Sequence, residues 1–133
     1  MSRSGYSDDY DNEWALIRWR GAVASAIRGK RGQSFLREMR AALDALPEKR
    51  LIAEELEESG EVCAIGSVGK ARGVDMREVN PYDRESVAGL FGVSPALAAE
   101  IADTNDNWYN ETPEHRFVRV RAWVASHIRE NAA

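Results

Sequence analysis

The sequence predicts a mainly α-helical fold: a compact bundle of five or six helices, with a short β-hairpin as an option within residues 50–64. Three observations predict it. Apolar side chains recur at spacings of three and four in several segments, which marks one buried face of an amphipathic helix. Ser94-Pro95 and Thr112-Pro113 each set a capping hydroxyl before a proline, the pattern of a helix start. A length of 133 residues, with 44% hydrophobic and 30% charged side chains, suits one globular domain with its own core.

Residues 1–11 are rich in Ser, Gly, Asp and Tyr without periodicity, so a mobile tail is expected there and a single helical domain over 12–133. The first helix carries Leu16, Trp19, Val23 and Ile27 on one face. Trp14, Ile17 and Ala24 widen that face, so much of the circumference is expected to be buried, with Trp14, Trp19 and Trp123 in the core. The run "RGKRG" at 28–32 ends it. A second helix follows from Gln33 or Ser34 to Leu46, with Phe35, Met39, Leu43 and Leu46 in one stripe and Leu36 beside it. Pro47 stops it, and a short glycine-containing loop predicts that the two helices run antiparallel.

Residues 48–62 fit either a helix or a small irregular hairpin around "ESG". The segment 62–74 spaces Gly66, Gly69 and Gly73 at helical intervals, which points to close approach of a neighbouring backbone, with Gly73 as C-cap. A loop around "NPY" leads to a short helix from Asp83 to Phe91 and a turn at Gly92. The helix opened by Ser94-Pro95 is expected to reach Asp103, with "TND" closing it before a polar loop. The last helix presents Phe117, Val120, Val124, His127 and Ile128 on one face.

Composition excludes several functions. No apolar run approaches the ~20 residues that span a bilayer, so no membrane association is expected. The N-terminus lacks a secretory pattern, which predicts a cytoplasmic location. One cysteine, Cys63, rules out an intramolecular disulfide, and two histidines, His115 and His127, give no zinc-ligand spacing. "AIGSVGKA" has two residues where a phosphate-binding loop needs four, and Ala71 follows Lys70. Neither a metal nor a cofactor is expected. Charge is uneven: residues 1–50 carry +3, residues 51–110 carry −8 and residues 111–133 carry +1.

That asymmetry bears on "ESVAGLFGVSPALAAEIADTND", which has the outline of a helix-turn-helix. Its second helix would turn Pro95, Ala96, Ala99, Glu100 and Asp103 outward, where a DNA reader needs cations and amides. A structural corner is the better reading. Nucleic acid remains an alternative partner for the basic cluster Arg28, Lys30, Arg31, Arg37 and Arg40. Cys63, near a helix start, could serve as a nucleophile with His115 as base, but its apolar neighbours favour burial. The glutamates Glu54, Glu55, Glu57, Glu58 and Glu61 form an acidic run suited to a basic protein partner. Asn107, Trp108 and Tyr109 fall in the polar loop: the aromatic pair is expected to fold back as a lid on the core, with an exposed binding hot spot as the alternative.

The segments "GEVCAIGSVGKARGVD", "FGVSPALAAEIADTND" and "ETPEHRFVRVRAWVASHI" resemble a family of small uncharacterised proteins of phages and prophages. These carry a Cys-x-x-Gly helix, a later Asn-Asp pair and a C-terminal amphipathic helix. The opening "WALIRWRGAVASAIRGKRGQSFLREMRAALDALPEKRLIAEEL" is similar to one branch, so the likeness covers nearly everything after residue 11. It implies that Cys63, Gly66, Asn105 and Asp106 are shared positions, serving packing and capping, and it implies no reaction. The functional expectation is therefore a non-enzymatic phage or prophage protein that binds a host protein or complex, in its finer form an anti-defence inhibitor of the anti-CRISPR kind. A homodimer is compatible with this reading, and a Cys63-dependent enzyme is the weakest alternative.

Overall fold

The computed structural model describes residues 3–4 and 13–130. They form a mainly helical bundle: α1 Glu13–Arg28, α2 Lys30–Ala45, β1 Glu57–Glu58, β2 Glu61–Val62, α3 Ala64–Arg72, α4 Arg84–Phe91, α5 Pro95–Asp106 and α6 Pro113–His127. The expected hairpin is present, antiparallel, with Glu57 opposite Val62 and Glu58 opposite Glu61. Ser59 and Gly60, both at positive φ, make its two-residue turn.

Local chemistry explains the boundaries. The hydroxyls of Ser94 and Thr112 accept from the backbone N–H groups of Leu97 and His115, and Asp83 caps α4 through Ser86 N–H. Leu46 turns to extended backbone ahead of Pro47 and ends α2. Gly73 caps α3 as expected. At Gly92 the chain adopts φ +72°, and α4 turns into α5.

The core follows the stripes. Phe35, Leu36, Met39 and Leu43 of α2, with Leu46 just past its end, are buried against Val62, Ile65 and Val68 around α3, and against Phe117, Val120, Val124 and Ile128 around α6. Helix α5 is the central element, packed on α1, α3, α4 and α6. Ala99, expected to face outward, is buried, and Glu100 and Asp103 are half-buried. Of α5 only Pro95 is exposed, and its partly open positions include Glu100, Asp103 and Asp106, anions that would meet phosphate repulsively.

Three sequence expectations are corrected. Helix α2 begins at Lys30 rather than at Gln33 or Ser34, so only Gly29 separates it from α1. Helical hydrogen bonds run up to the break, from Gly29 N–H to Ser25 O and from Gln33 N–H to Gly29 O. The chief neighbour of α1 is α5. Second, Val23 alone among the described α1 side chains is buried, while Trp14 is 73% exposed and Ile17 is also exposed. Trp19 and Trp123 are half-buried. Third, α5 continues to Asp106, so Thr104, Asn105 and Asp106 form its last turn instead of closing it. Of the tail expected over 1–11, only Arg3 and Ser4 are described, and both are buried; the rest lies outside the described residues. No described helix is long and apolar enough to cross a membrane.

Candidate functional site

The irregular segment 50–56, the hairpin, the end of α5 and the start of α6 meet at one end of the bundle. Asn105 ties them together. Its side chain is fully buried; Oδ1 accepts from Ala64 N–H at 3.0 Å and Nδ2 donates to Ile52 O at 2.9 Å and to Asp106 Oδ1 at 2.8 Å. It thus satisfies a first-turn amide of α3 and a carbonyl of the segment before the hairpin. Cys63 is the N-cap of α3, its Sγ accepting from Gly66 N–H at 3.3 Å. Gly66 is required by the approach of the chain ahead of the hairpin: a Cβ there would lie 1.9 Å from Leu56 O, a carbonyl that also accepts from Cys63 N–H. The four positions singled out by the family resemblance therefore converge on one polar knot.

Arg3 completes the knot. Its Nε and Nη2 fork onto the two oxygens of Asp106 at 2.6 and 2.9 Å, and its Nη1 donates to Glu55 O and Cys63 Sγ, each at 3.3 Å. Asp106 Oδ1 also accepts from Glu54 N–H at 3.1 Å. Beside it, burial, then the charges of Glu100 and Asp106, push the Asp103 carboxyl above its ordinary pKa.

A second cluster surrounds Glu111, whose side chain is 1% exposed. Arg119 forks onto it at 2.7 and 2.8 Å, His115 Nδ1 lies 2.6 Å away and Arg116 Nε 3.4 Å away. The Arg119 hydrogen bond is the largest influence that holds the Glu111 carboxyl below its ordinary pKa, against the opposing effect of burial. Arg119 also donates to Thr104 O and Asn105 O at the end of α5, and Arg116 to Leu51 O. Cations at a helix C-terminus meet its negative dipole end, so the Glu111 cluster clamps α6 to α5.

Trp108 rests on this clamp. Its ring lies 5.3 Å from the Arg119 guanidinium and 5.7 Å from the His115 ring. The expected lid is thus corrected: Trp108 is 55% exposed and Tyr109 94% exposed, because Arg119 and His115, rather than the core, supply the surface on which the loop settles. Val118, 66% exposed, lies one helical turn beyond His115. Three of the six large hydrophobic side chains exposed among the described residues thus collect at the α5–α6 junction.

Of the acidic run, Glu54, Glu57 and Glu58 are exposed, and Glu55 and Glu61 are half-buried. Glu61 pairs with Arg50 at 2.6 Å, and Arg50 lies 3.8 Å from Glu114, the neighbour of His115. Glu54 joins the opposite side through Asp106, the neighbour of Asn107. Two members of the acidic run, Glu54 and Glu61, are thus linked through Asp106 and Arg50 to the segments that flank the aromatic loop, about fifty residues away in sequence.

The basic cluster lies elsewhere, with Arg28, Lys30, Arg31 and Arg37 exposed where α1 meets α2. Arg37 donates to Arg129 O and Arg40 pairs with Glu130 at 3.0 Å. An open cleft of about 530 Å³ is lined by Arg28, Lys30, Gln33, Arg37, Arg129 and Glu130. Cys63 and His115 are not brought together: the thiol is fully buried between Gly66 and Arg3, and the imidazole lies against Glu111 and Trp108.

Sequence reasoning missed Arg3, Glu111, Arg116 and Arg119. The signal available was His115 and Arg119, four residues apart on one side of the helix that Thr112-Pro113 opens, with Glu111 just ahead of its cap; nothing in the sequence marked Arg3. Comparison with family models, with curated proteins and with solved structures finds no match to the chain.

Proposed function

We propose that this chain is a non-enzymatic binding protein that uses the α5–α6 junction and the adjoining acidic segment to hold a basic surface of another protein. One observation carries the reading: Trp108, Tyr109 and Val118 stand exposed on a junction held by the Glu111–Arg119 clamp, with Glu54, Glu61 and Glu114 around it. Rigid exposed aromatics are the usual anchors of protein interfaces, and surrounding charge of one sign selects partners and speeds encounter. Buried Cys63, apart from both histidines' contacts, supports a role without catalysis.

The finer reading, an anti-defence inhibitor from a phage or prophage that acts on a complex in the host cytoplasm, rests on the family resemblance. Capture from bacterial lysate by the tagged chain tests the binding face. Replacing Trp108 and Tyr109 together by Ala should abolish capture, and reversing Glu57 and Glu58 to Lys should weaken it, with folding retained in both. Capture unchanged in the aromatic variant would sink the proposal.

A second reading has its own support in the cleft formed by Arg28, Lys30 and Arg37, to which Arg129 adds a fourth cation. It predicts duplex binding that weakens steeply with salt and is lost on replacing Arg28 and Arg37. Absence of any gel shift at low salt would remove it.

A further inference from the structure

We propose that the Asp106 cradle is a receptor for an arginine side chain presented by a protein partner, and that the chain's own Arg3 occupies it until that partner arrives. The inference deepens the binding-protein reading and rests on it for the identity of the partner.

The cradle matches arginine rather than any cation. The planar fork of Arg3 meets both oxygens of Asp106, a bidentate geometry unavailable to lysine, while the remaining nitrogen reaches Glu55 O and Cys63 Sγ. The Arg3 side chain is 1% exposed and that of Asp106 12%, so the pair is nearly dry, and such contacts discriminate strongly between side chains. The cradle's polar walls are also held without Arg3. Asp106 Oδ1 keeps its bonds from Glu54 N–H and Asn105 Nδ2, and Cys63 Sγ keeps that from Gly66 N–H. A site whose walls are oriented by their own neighbours is preorganised for a ligand.

Two further features make Arg3 exchangeable with a partner's arginine. Eight residues, positions 5–12, separate Ser4 from the first residue of α1. Such a length spans up to roughly 30 Å when extended, so Arg3 can leave the cradle without displacing α1. The cradle also lies next to the proposed contact face, since Asp106 adjoins Asn107 in sequence and accepts from Glu54 N–H, and a partner attracted by that acidic face brings basic side chains close to it.

The test uses the full chain and a labelled, end-blocked Ser-Arg-Ser-Gly peptide, the sequence of residues 2–5. Arg3→Ala should bind it at least about tenfold more tightly than the wild type, because removing the internal occupant raises the binding-competent fraction. Adding Asp106→Asn to that variant should abolish binding, and a Ser-Lys-Ser-Gly peptide should bind at least about tenfold more weakly. A folded Arg3→Ala chain that binds no more tightly than the wild type, or binds both peptides equally, overturns the proposal. If Arg3→Ala does not fold, the wild type decides: its Arg3 Nε–H resonance should move towards the solvent-exposed position as millimolar arginine peptide is added, and an unmoved resonance overturns the proposal. Peptide failure with intact, Trp108-dependent lysate capture removes the receptor and leaves the binding face standing; loss of Trp108 dependence with normal peptide binding does the reverse.

Discussion

Helices α1 and α2 are both 16 residues long, are separated by one residue and both carry periodic apolar side chains, yet α2 buries Phe35, Leu36, Met39, Ala42 and Leu43 while α1 buries Val23. The difference lies in how the apolar residues are distributed and in what covers them. Those of α2 concentrate in one stripe facing α3 and α6, whereas Trp14, Leu16, Ile17 and Trp19 spread round α1 and only part of that surface meets α5. Periodicity identifies a face that could be buried; whether it is depends on the neighbour. The same contrast separates two residues three positions apart in sequence, fully buried Asn105 and exposed Trp108.

The sharpest way to break the comparison is to truncate equivalent residues in the two helices. Leu36→Ala should cost about 2–5 kcal/mol in urea unfolding, because a fully buried side chain leaves a cavity. Leu16→Ala, half-buried on α1, should cost about 1 kcal/mol or less. Equal losses would show that α1 is covered as fully as α2. Next in size, Asn105→Ala strips the Ala64 amide and the Ile52 carbonyl of their partners and should cost roughly 2–3 kcal/mol. Gly66→Ala, with a Cβ forced on Leu56 O, should cost about 1–3 kcal/mol.

Acid extends the test to ion pairs. Glu111 has a lowered pKa in the folded state, so its contribution is present above its unfolded pKa and lost as pH falls through the folded value. Stability should therefore drop below about pH 4, and Glu111→Gln should shallow that decline in denaturant midpoints measured across the acid range. Asp103 acts with the opposite sign: its raised pKa gives a contribution present below the unfolded value and lost as pH rises through the folded one, so Asp103→Asn should help at neutral pH rather than in acid. The smallest effect belongs to α1, where Trp14→Ser should shift the unfolding midpoint by no more than about 0.5 kcal/mol.

The candidate site was only half legible in advance. The acidic run and the Asn107–Tyr109 loop stood out as separate features, since glutamate density and exposed aromatics are local properties. The link between them depends on Asn105 and Arg50 bridging distant segments. The Arg3 cradle was illegible, because a single arginine in an aperiodic stretch carries no pattern.

The sequence by itself determined the elements. Helix stripes, the Ser94-Pro95 and Thr112-Pro113 starts, the Pro47 stop and the turn at Gly92 are governed by backbone propensity and side-chain spacing over a few residues, and they appear where those rules put them. Only the tertiary structure decided which faces are covered, that α5 is central, that Asn105 serves α3 rather than its own helix, and that Trp108 settles on Arg119. The physical reason is that burial and buried hydrogen bonding depend on what a distant segment brings alongside, and spacing along one chain segment carries no record of that partner.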